Sequence, residues 1–268
     1  MADLLQRIFH AAIERSAVAE REQPYDAVRE RALERSGERR PFLAALRAAD
    51  GTGIVAEIKR ASPSAGLIAR NFDPAAIART YDAAGADAIS VLTEPDHFLG
   101  DLASLDLVRA ATPRAILRKD FLTRPYDVAQ SAACGADCVL LIVAALDDRA
   151  LGACLEEAKR YALDALVEVH DDEELRRALD AGARFVGVNN RDLRTLTTDL
   201  ATSELLLPQV PRDVFAISES GMRAAEDLQR VRRAGARAFL IGESLMRAKE
   251  PHETIRALKA ALAMEHAG

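Results

Sequence analysis

Five short apolar runs in this sequence end in groups able to carry charge or move protons. Ile54-Val-Ala-Glu-Ile-Lys brings Glu57 and Lys59, Ala115-Ile-Leu-Arg-Lys-Asp brings Lys119, and Ala165-Leu-Val-Glu-Val-His brings Glu168. Val214-Phe-Ala-Ile-Ser-Glu-Ser adds Glu219 and Ser220, and Phe185-Val-Gly-Val is followed by Asn189, Asn190 and Arg191. If the first run is a strand, the two-residue period puts Glu57 and Lys59 on one face. An ammonium that protonates oxygen, beside a carboxylate that removes a proton, is the equipment of general acid–base chemistry. A salt-bridge network that merely caps a core is the competing explanation. Burying ions is costly, so their recurrence at five run ends favours a shared site. His97 and His170 lack the partner spacing of a zinc set and read as surface residues or as neighbours of the site, and no metal is expected.

The elements that must hold these groups follow from a phrase that occurs four times. Ala84-Gly-Ala-Asp, Cys134-Gly-Ala-Asp, Ala181-Gly-Ala-Arg and Ala234-Gly-Ala-Arg each close a helical pattern with glycine and open an apolar run. Their period of roughly 50 residues is twice the length of a strand–helix unit, so a second strand belongs midway between joints. The four runs at 54, 115, 165 and 214 fill those places. Eight strands alternating with helices predict an α/β fold, a closed parallel (β/α)8 TIM barrel with helices outside. An open doubly wound sheet would carry no such period, and usually shows a glycine-rich loop after its first strand, where this chain has Lys59-Arg-Ala-Ser-Pro-Ser. Barrel enzymes work at the C-terminal strand ends, where the charged groups fall.

The 268 residues suit one barrel domain, 1–268, of which 1–50 form a helical extension broken near Pro24 and Pro41. That extension is expected to be either a cap under the barrel or dimer surface, or a lid over its mouth, with Phe9 exposed for one of these uses.

Two loops suggest an anion. Ser218-Glu-Ser-Gly-Met and Ile241-Gly-Glu-Ser each run from a strand into a helical pattern, at the seventh and eighth positions, where barrels cradle phosphate on backbone N–H groups. Glu243 is expected to offer its backbone N–H there with its carboxylate turned away.

A net charge of −6 without a basic, aromatic-rich stripe argues against nucleic acid, and no apolar run approaches the roughly 20 residues of a membrane span. The opening residues lack a secretory signal, so the cytoplasm is the expected compartment. Cys134, Cys138 and Cys154 sit in or beside apolar segments and read as buried free thiols.

The strand ends resemble the indole-3-glycerol phosphate synthase family. The likeness runs through Ala56-Glu-Ile-Lys-Arg-Ala-Ser-Pro-Ser, Leu117-Arg-Lys-Asp-Phe, Val139-Leu-Leu-Ile-Val-Ala-Ala-Leu, Leu166-Val-Glu-Val-His, Gly187-Val-Asn-Asn-Arg-Asp-Leu, Ser218-Glu-Ser-Gly and Leu240-Ile-Gly-Glu-Ser-Leu-Met-Arg. It spans nearly all of the barrel, whereas residues 1–50 agree only in helical pattern. The resemblance implies a small phosphorylated substrate, no cofactor, and a chain that is a monomer or weak homo-oligomer. It implies ring closure of an anthranilate-derived aminodeoxyribulose phosphate, with loss of carbon dioxide and then water, in tryptophan biosynthesis. Lys119 then corresponds to the general acid, Glu168 to the base or charge partner of a cationic intermediate, and Lys59, positioned by Glu57, to the lysine that meets anionic groups and has a proton of its own to give. Asn189, Arg191 and Glu219 complete the polar ring, and Ser62, in the loop after strand one, belongs to substrate binding. Phe98 and Phe121 wall the aryl group. Ser220, Gly221, Gly242 and Glu243 match the phosphate cradle, with Lys59 nearby. Ala65 replaces a lysine common in the family, and His97 precedes Phe98 where an aromatic is usual. Two alternatives remain: an isomerase of the phosphoribosylanthranilate type, which would want a catalytic cysteine at the end of strand one, and a non-catalytic barrel that binds a phosphorylated metabolite.

Overall fold

The structure is a computed structural model that describes residues 4–264. Strands covered on both faces need no polar alternation, and the eight here are mostly apolar, with their charged groups near the ends: β1 (Gly53–Ile58), β2 (Ala88–Leu92), β3 (Ala115–Lys119), β4 (Cys138–Ile142), β5 (Asp164–Val169), β6 (Phe185–Asn189), β7 (Phe215–Glu219) and β8 (Ala238–Ile241). All are parallel, and the sheet closes through β1 and β8, with Gly53 opposite Ala238 and Ala56 opposite Ile241. A two-stranded hairpin, Ala61–Ser62 with Gly66–Leu67, stands on the loop after β1.

The repeated joints show why their phrase recurs. Gly85, Gly135, Gly182 and Gly235 all hold positive φ, the left-handed turn that ends each helix. In the first two, the acid of Gly-Ala-Asp also fixes the neighbouring strand. Asp87 accepts from the Ile54 N–H at 2.8 Å and Asp137 from the Ile116 N–H at 2.9 Å.

Helices surround the barrel, among them α4 (Pro74–Ala83), α5 (Ser104–Ala111), α6 (Pro125–Ala133), α7 (Asp148–Arg160), α8 (Asp172–Asp180), α9 (Ala201–Leu206) and α10 (Ala225–Arg233). The short α11 (Glu243–Arg247) follows β8, and α12 (Pro251–Met264) follows it. One apolar layer lies between sheet and helices. A second fills the barrel interior with Val55, Leu117, Leu140, Leu166, Ile217 and Leu240.

Before the barrel come three more helices, α1 (Leu4–Glu22), α2 (Tyr25–Glu34) and α3 (Phe42–Ala48), here called the mouth, flank and floor helices. Pro24 and Pro41 mark their starts, as expected of a ring that fits a first turn and not an interior. The extension divides the two roles left open by the sequence. Phe42 and Leu46 of the floor helix are fully buried among the first residues of β6, β7 and β8, Phe42 lying 6.1 Å from Phe185 by ring centroid. The mouth helix reaches the opposite end, where Leu4, Leu5 and Ile8 line the central cavity. Phe9, expected to be exposed, is buried instead, edge-on to Phe121 at 5.4 Å, because the mouth helix turns this face onto the barrel. Arg15 ties the helix down through Glu94, 3.5 Å away, and Arg124 of the loop after β3 holds Glu20 at 2.7 Å.

Candidate active site

At the C-terminal strand ends lies a cavity of about 1040 Å³, counted to its open mouth. Lys59, Lys119, Glu57, Glu168 and Asn189 line it, opposite the turns at Ser220–Gly221 and Gly242–Glu243. Glu219 stands in its wall through Lys119.

The charges come in from inward positions of separate strands. On β1 and just beyond it, Glu57 and Lys59 share a face, and Lys59 Nζ donates to Glu57 Oε1 at 2.6 Å. From β3, Lys119 Nζ donates to Glu168 Oε2 of β5 at 3.0 Å and to Glu219 Oε2 of β7 at 2.9 Å. Glu57, Glu168 and Glu219 are all buried. Two carboxylates therefore share one ammonium, and they do not share it equally. Burial by itself would pull the Lys119 pKa down, but Glu168, Glu219 and Glu57 outweigh it and hold the group well above its usual range. Burial likewise opposes the charge on Glu168, yet Lys119 and His170 keep that carboxyl well below the ordinary carboxylate range. Glu219 goes the other way. Burial first, then the fields of Glu168 and Glu57, push it up to about 7 against the pull of Lys119. Its Oε1 is buried without a hydrogen-bond partner, as suits an acid balanced between its two forms near neutrality.

Room for these carboxylates is made by glycine. A Cβ at Gly187 on β6 would stand 2.0 Å from Glu219 Oε1, and one at Gly242 would stand 2.1 Å from Glu57 Oε1. Glycine at 242 thus serves the β1 carboxylate as well as any ligand at the turn. At the neighbouring turn, Ser220 and Gly221 hold φ of +64° and +84°. For a serine this conformation is strained by about 1 kcal/mol or more. Asn190 fixes it: the side-chain Nδ2 donates to Ser218 Oγ at 2.9 Å, Glu219 O at 2.9 Å and Ser220 O at 3.0 Å. Asn190 therefore faces away from the cavity, while its neighbour Asn189 faces in, as alternation along a strand requires.

Arg191 bridges three loops. Its Nη1 donates to Ser64 Oγ at 2.8 Å and to Leu196 O at 3.2 Å, and Nη2 lies 3.9 Å from Glu243. The Glu243 carboxylate is held at the rim by this arginine and by Arg247, whose Nε is 3.1 Å away. Ser62 is buried, and its hydroxyl accepts from the Ala65 N–H at 3.2 Å, bracing the hairpin after β1. Phe98 and Phe121 form one apolar wall, their centroids 6.2 Å apart.

Several residues of the site escape a reading of strand ends alone. Leu4, Leu5 and Ile8 come from the mouth helix, and Leu193, Leu196 and Met222 from loops. Glu94, fully buried just after β2, accepts N–H groups from Asp96, His97 and Phe98 at 3.2, 2.7 and 3.0 Å, and so folds the loop that carries Phe98. Its signal was present in the sequence: an acid two residues past an apolar run, beyond the end of an even strand. Of the two places expected for His170 the structure shows the second, beside the site: its side chain is 14% exposed and lies against Glu168 and Glu174. Among the described residues, no three His, Cys, Asp or Glu gather as a metal set. Cys138 and Cys154 are buried, Cys134 is half-buried, and all are free.

Comparison with known proteins places the chain in a family. The family model described as indole-3-glycerol phosphate synthase matches residues 5–258. A protein named indole-3-glycerol phosphate synthase from Parafrankia sp. (strain EAN1pec) is 50% identical over 239 residues, covering 89% of this chain and 88% of its own. One of the same name from Rhodospirillum rubrum is 45% identical over 263 residues, 96% of this chain and 99% of its own. In structure the chain is similar to 3-hexulose-6-phosphate synthase from Salmonella typhimurium, with a TM-score of 0.65 over 80% of this chain and 100% of that one. Sequence identity there is 16%, so that likeness speaks for the barrel alone.

Proposed function

The chain belongs to the indole-3-glycerol phosphate synthase family, and we propose how its mouth residues close the indole ring. It is a carboxy-lyase of tryptophan biosynthesis. The substrate is 1-(2-carboxyphenylamino)-1-deoxyribulose 5-phosphate. The observation that carries the assignment of roles is the Lys119 ammonium, within 3.0 Å of two buried carboxyl groups from separate strands.

The aryl group packs on Phe98 and Phe121, beneath Leu5 and Ile8 of the mouth helix. The phosphate sits on the backbone N–H groups of Ser220, Gly221, Gly242 and Glu243, with Lys59 adding charge. Binding at both ends brings the carboxyl-bearing ring carbon against the ketone carbon, which is catalysis by orientation. As the carbon–carbon bond forms, Lys119 gives its proton to the ketone oxygen, which becomes a hydroxyl. Glu168 faces the cationic ring system that results. Loss of carbon dioxide returns the bond electrons to the ring. The hydroxyl then leaves as water while a proton is lost from the adjacent carbon, giving the indole double bond. Dehydration needs one acid and one base, for which Lys59 beside Glu57, together with Glu168, supply the groups. Asn189 and Arg191 hold the sugar hydroxyls and the carboxylate end, and Glu219 restrains Lys119.

The test is direct. Purified protein mixed with this substrate should produce indole fluorescence, read without tryptophan emission from the protein because the sequence contains none. No rise in that signal, with folded protein, would reject the assignment.

A further inference from the structure

We infer that His170 is a positioning residue for this reaction: an imidazolium tethered by Glu174, it holds the Glu168 carboxylate from the oxygen that Lys119 does not take. The inference rests on the reading above, in which Glu168 works as a carboxylate.

His170 follows the last residue of β5, and Asp171 caps α8, accepting from the Glu174 N–H at 2.9 Å. Glu174, in the first turn of α8, reaches back. Its Oε2 accepts from the His170 backbone N–H at 2.8 Å and meets Nδ1 at 2.9 Å. An ionised carboxylate can only accept, so the proton between them sits on Nδ1. The other ring nitrogen, Nε2, is buried without a hydrogen-bond partner and lies 3.4 Å from Glu168 Oε1. A bare lone pair there would face a carboxylate in a pocket nearly closed to water. A proton there turns the contact into an ion pair.

The ring is thus held between two carboxylates. Burial alone would lower its pKa, but Glu168 and Glu174 outweigh burial and lift it to about 10. Glu168 in turn faces Lys119 from β3, with Glu219 of β7 and Glu57 of β1 beyond that ammonium.

The arrangement answers a difficulty in the chemistry. Once Lys119 has given its proton to the ketone oxygen, an amine remains, and Glu168 loses its principal cation. A buried carboxylate left alone would take up a proton and cease to serve the cationic intermediate. His170 is a second cation that stands off the reaction path. It keeps Glu168 ionised through the step, with Oε2 turned toward the cavity, and no bond at His170 is made or broken.

Unmodified protein is assayed first, so that a failure of the proposed function appears there and not in a variant. His170→Leu should then lower kcat ten- to a hundredfold, on the order expected of a displaced catalytic carboxylate, with KM changed by less than about threefold. Removing the cation raises the pKa of Glu168, so the acidic limb of kcat/KM should move up by about one pH unit. His170→Gln, whose amide can donate to Glu168 without charge, should recover part of kcat and leave the limb displaced. A folded His170→Leu enzyme with unchanged kcat and limb, or with a rise confined to KM, overturns the inference. If that variant does not fold, the unmodified protein decides by ring ¹⁵N shifts. The histidine signal missing from His170→Gln should stay doubly protonated from about pH 6 to about pH 8.5. Titration of that signal near the ordinary imidazole value overturns the inference.

Discussion

At one end of the barrel, Phe42 and Leu46 of the floor helix meet Phe185, Phe215 and Val55 in an apolar plug, while at the other end of the same strands Glu57, Lys119, Glu168 and Glu219 face one another. Only a few residues of strand separate the two. The plug gains from every atom it hides from water. The mouth takes ions out of water and recovers that cost only in part, through pairing. Stability therefore comes largely from one end and chemistry from the other, and the two should respond separately to substitution.

The largest separation is expected at the floor. Phe42→Ala should cost about 3–5 kcal/mol of unfolding free energy, as for other buried phenylalanines, with kcat within about twofold where the protein remains folded. Urea denaturation beside the fluorescence assay reads both quantities, and a collapse of kcat in the folded state would mean that the two ends are mechanically linked. Lys119→Ala should do the converse, lowering turnover by about a hundredfold or more while the denaturation midpoint moves little. Turnover near normal would remove Lys119 from the chemistry. Gly187→Ala comes next: its new methyl must displace Glu219 from Lys119, for a loss of about tenfold in kcat and about 1–3 kcal/mol of strain. Turnover at the parent level would show that Glu219 has somewhere else to go.

The smallest effect is one of pH. Glu219 has its pKa raised from 4.5 to about 7 on folding, so the folded chain binds a proton that the unfolded chain releases in that window. Its contribution to stability is full below about pH 4.5 and is lost as pH rises through about 7. Glu219→Gln cannot lose a proton, so it should gain stability relative to the parent as pH rises over this range. The opposite trend in paired denaturation curves would mean that Glu219 is the ionised partner of Lys119.

The joints of the barrel were legible because each needs the same things: a left-handed glycine and, in two of them, an acid that accepts an N–H near the start of the preceding strand. Lys119 and Glu168 were legible because an ion inside an apolar run contradicts its surroundings. Asn189 could be separated from Asn190 only by knowing which face turns inward, which a strand's first residue does not declare. The mouth helix left least trace. Its periodicity marks an apolar face around Leu5, Ile8 and Phe9, but periodicity names no partner, and that partner is more than a hundred residues away at Phe121. Gly187 stands out in the sequence only as part of a motif, since a glycine in a strand does not reveal whose side chain fills the space above it.

The flank and floor helices are made early and used late. Arg39, between them, hydrogen-bonds to the carbonyls of Ala132 and Ala136, more than ninety residues further along. At ribosomal rates of about 5–20 residues per second, they wait roughly 5–20 s before that surface exists. In that interval the flank helix lacks α6, and the floor helix waits longer still for Phe185 and Phe215. The plug goes in as the vessel is built around it, so a nascent chain stays exposed to chaperones and to aggregation until β7 has been made.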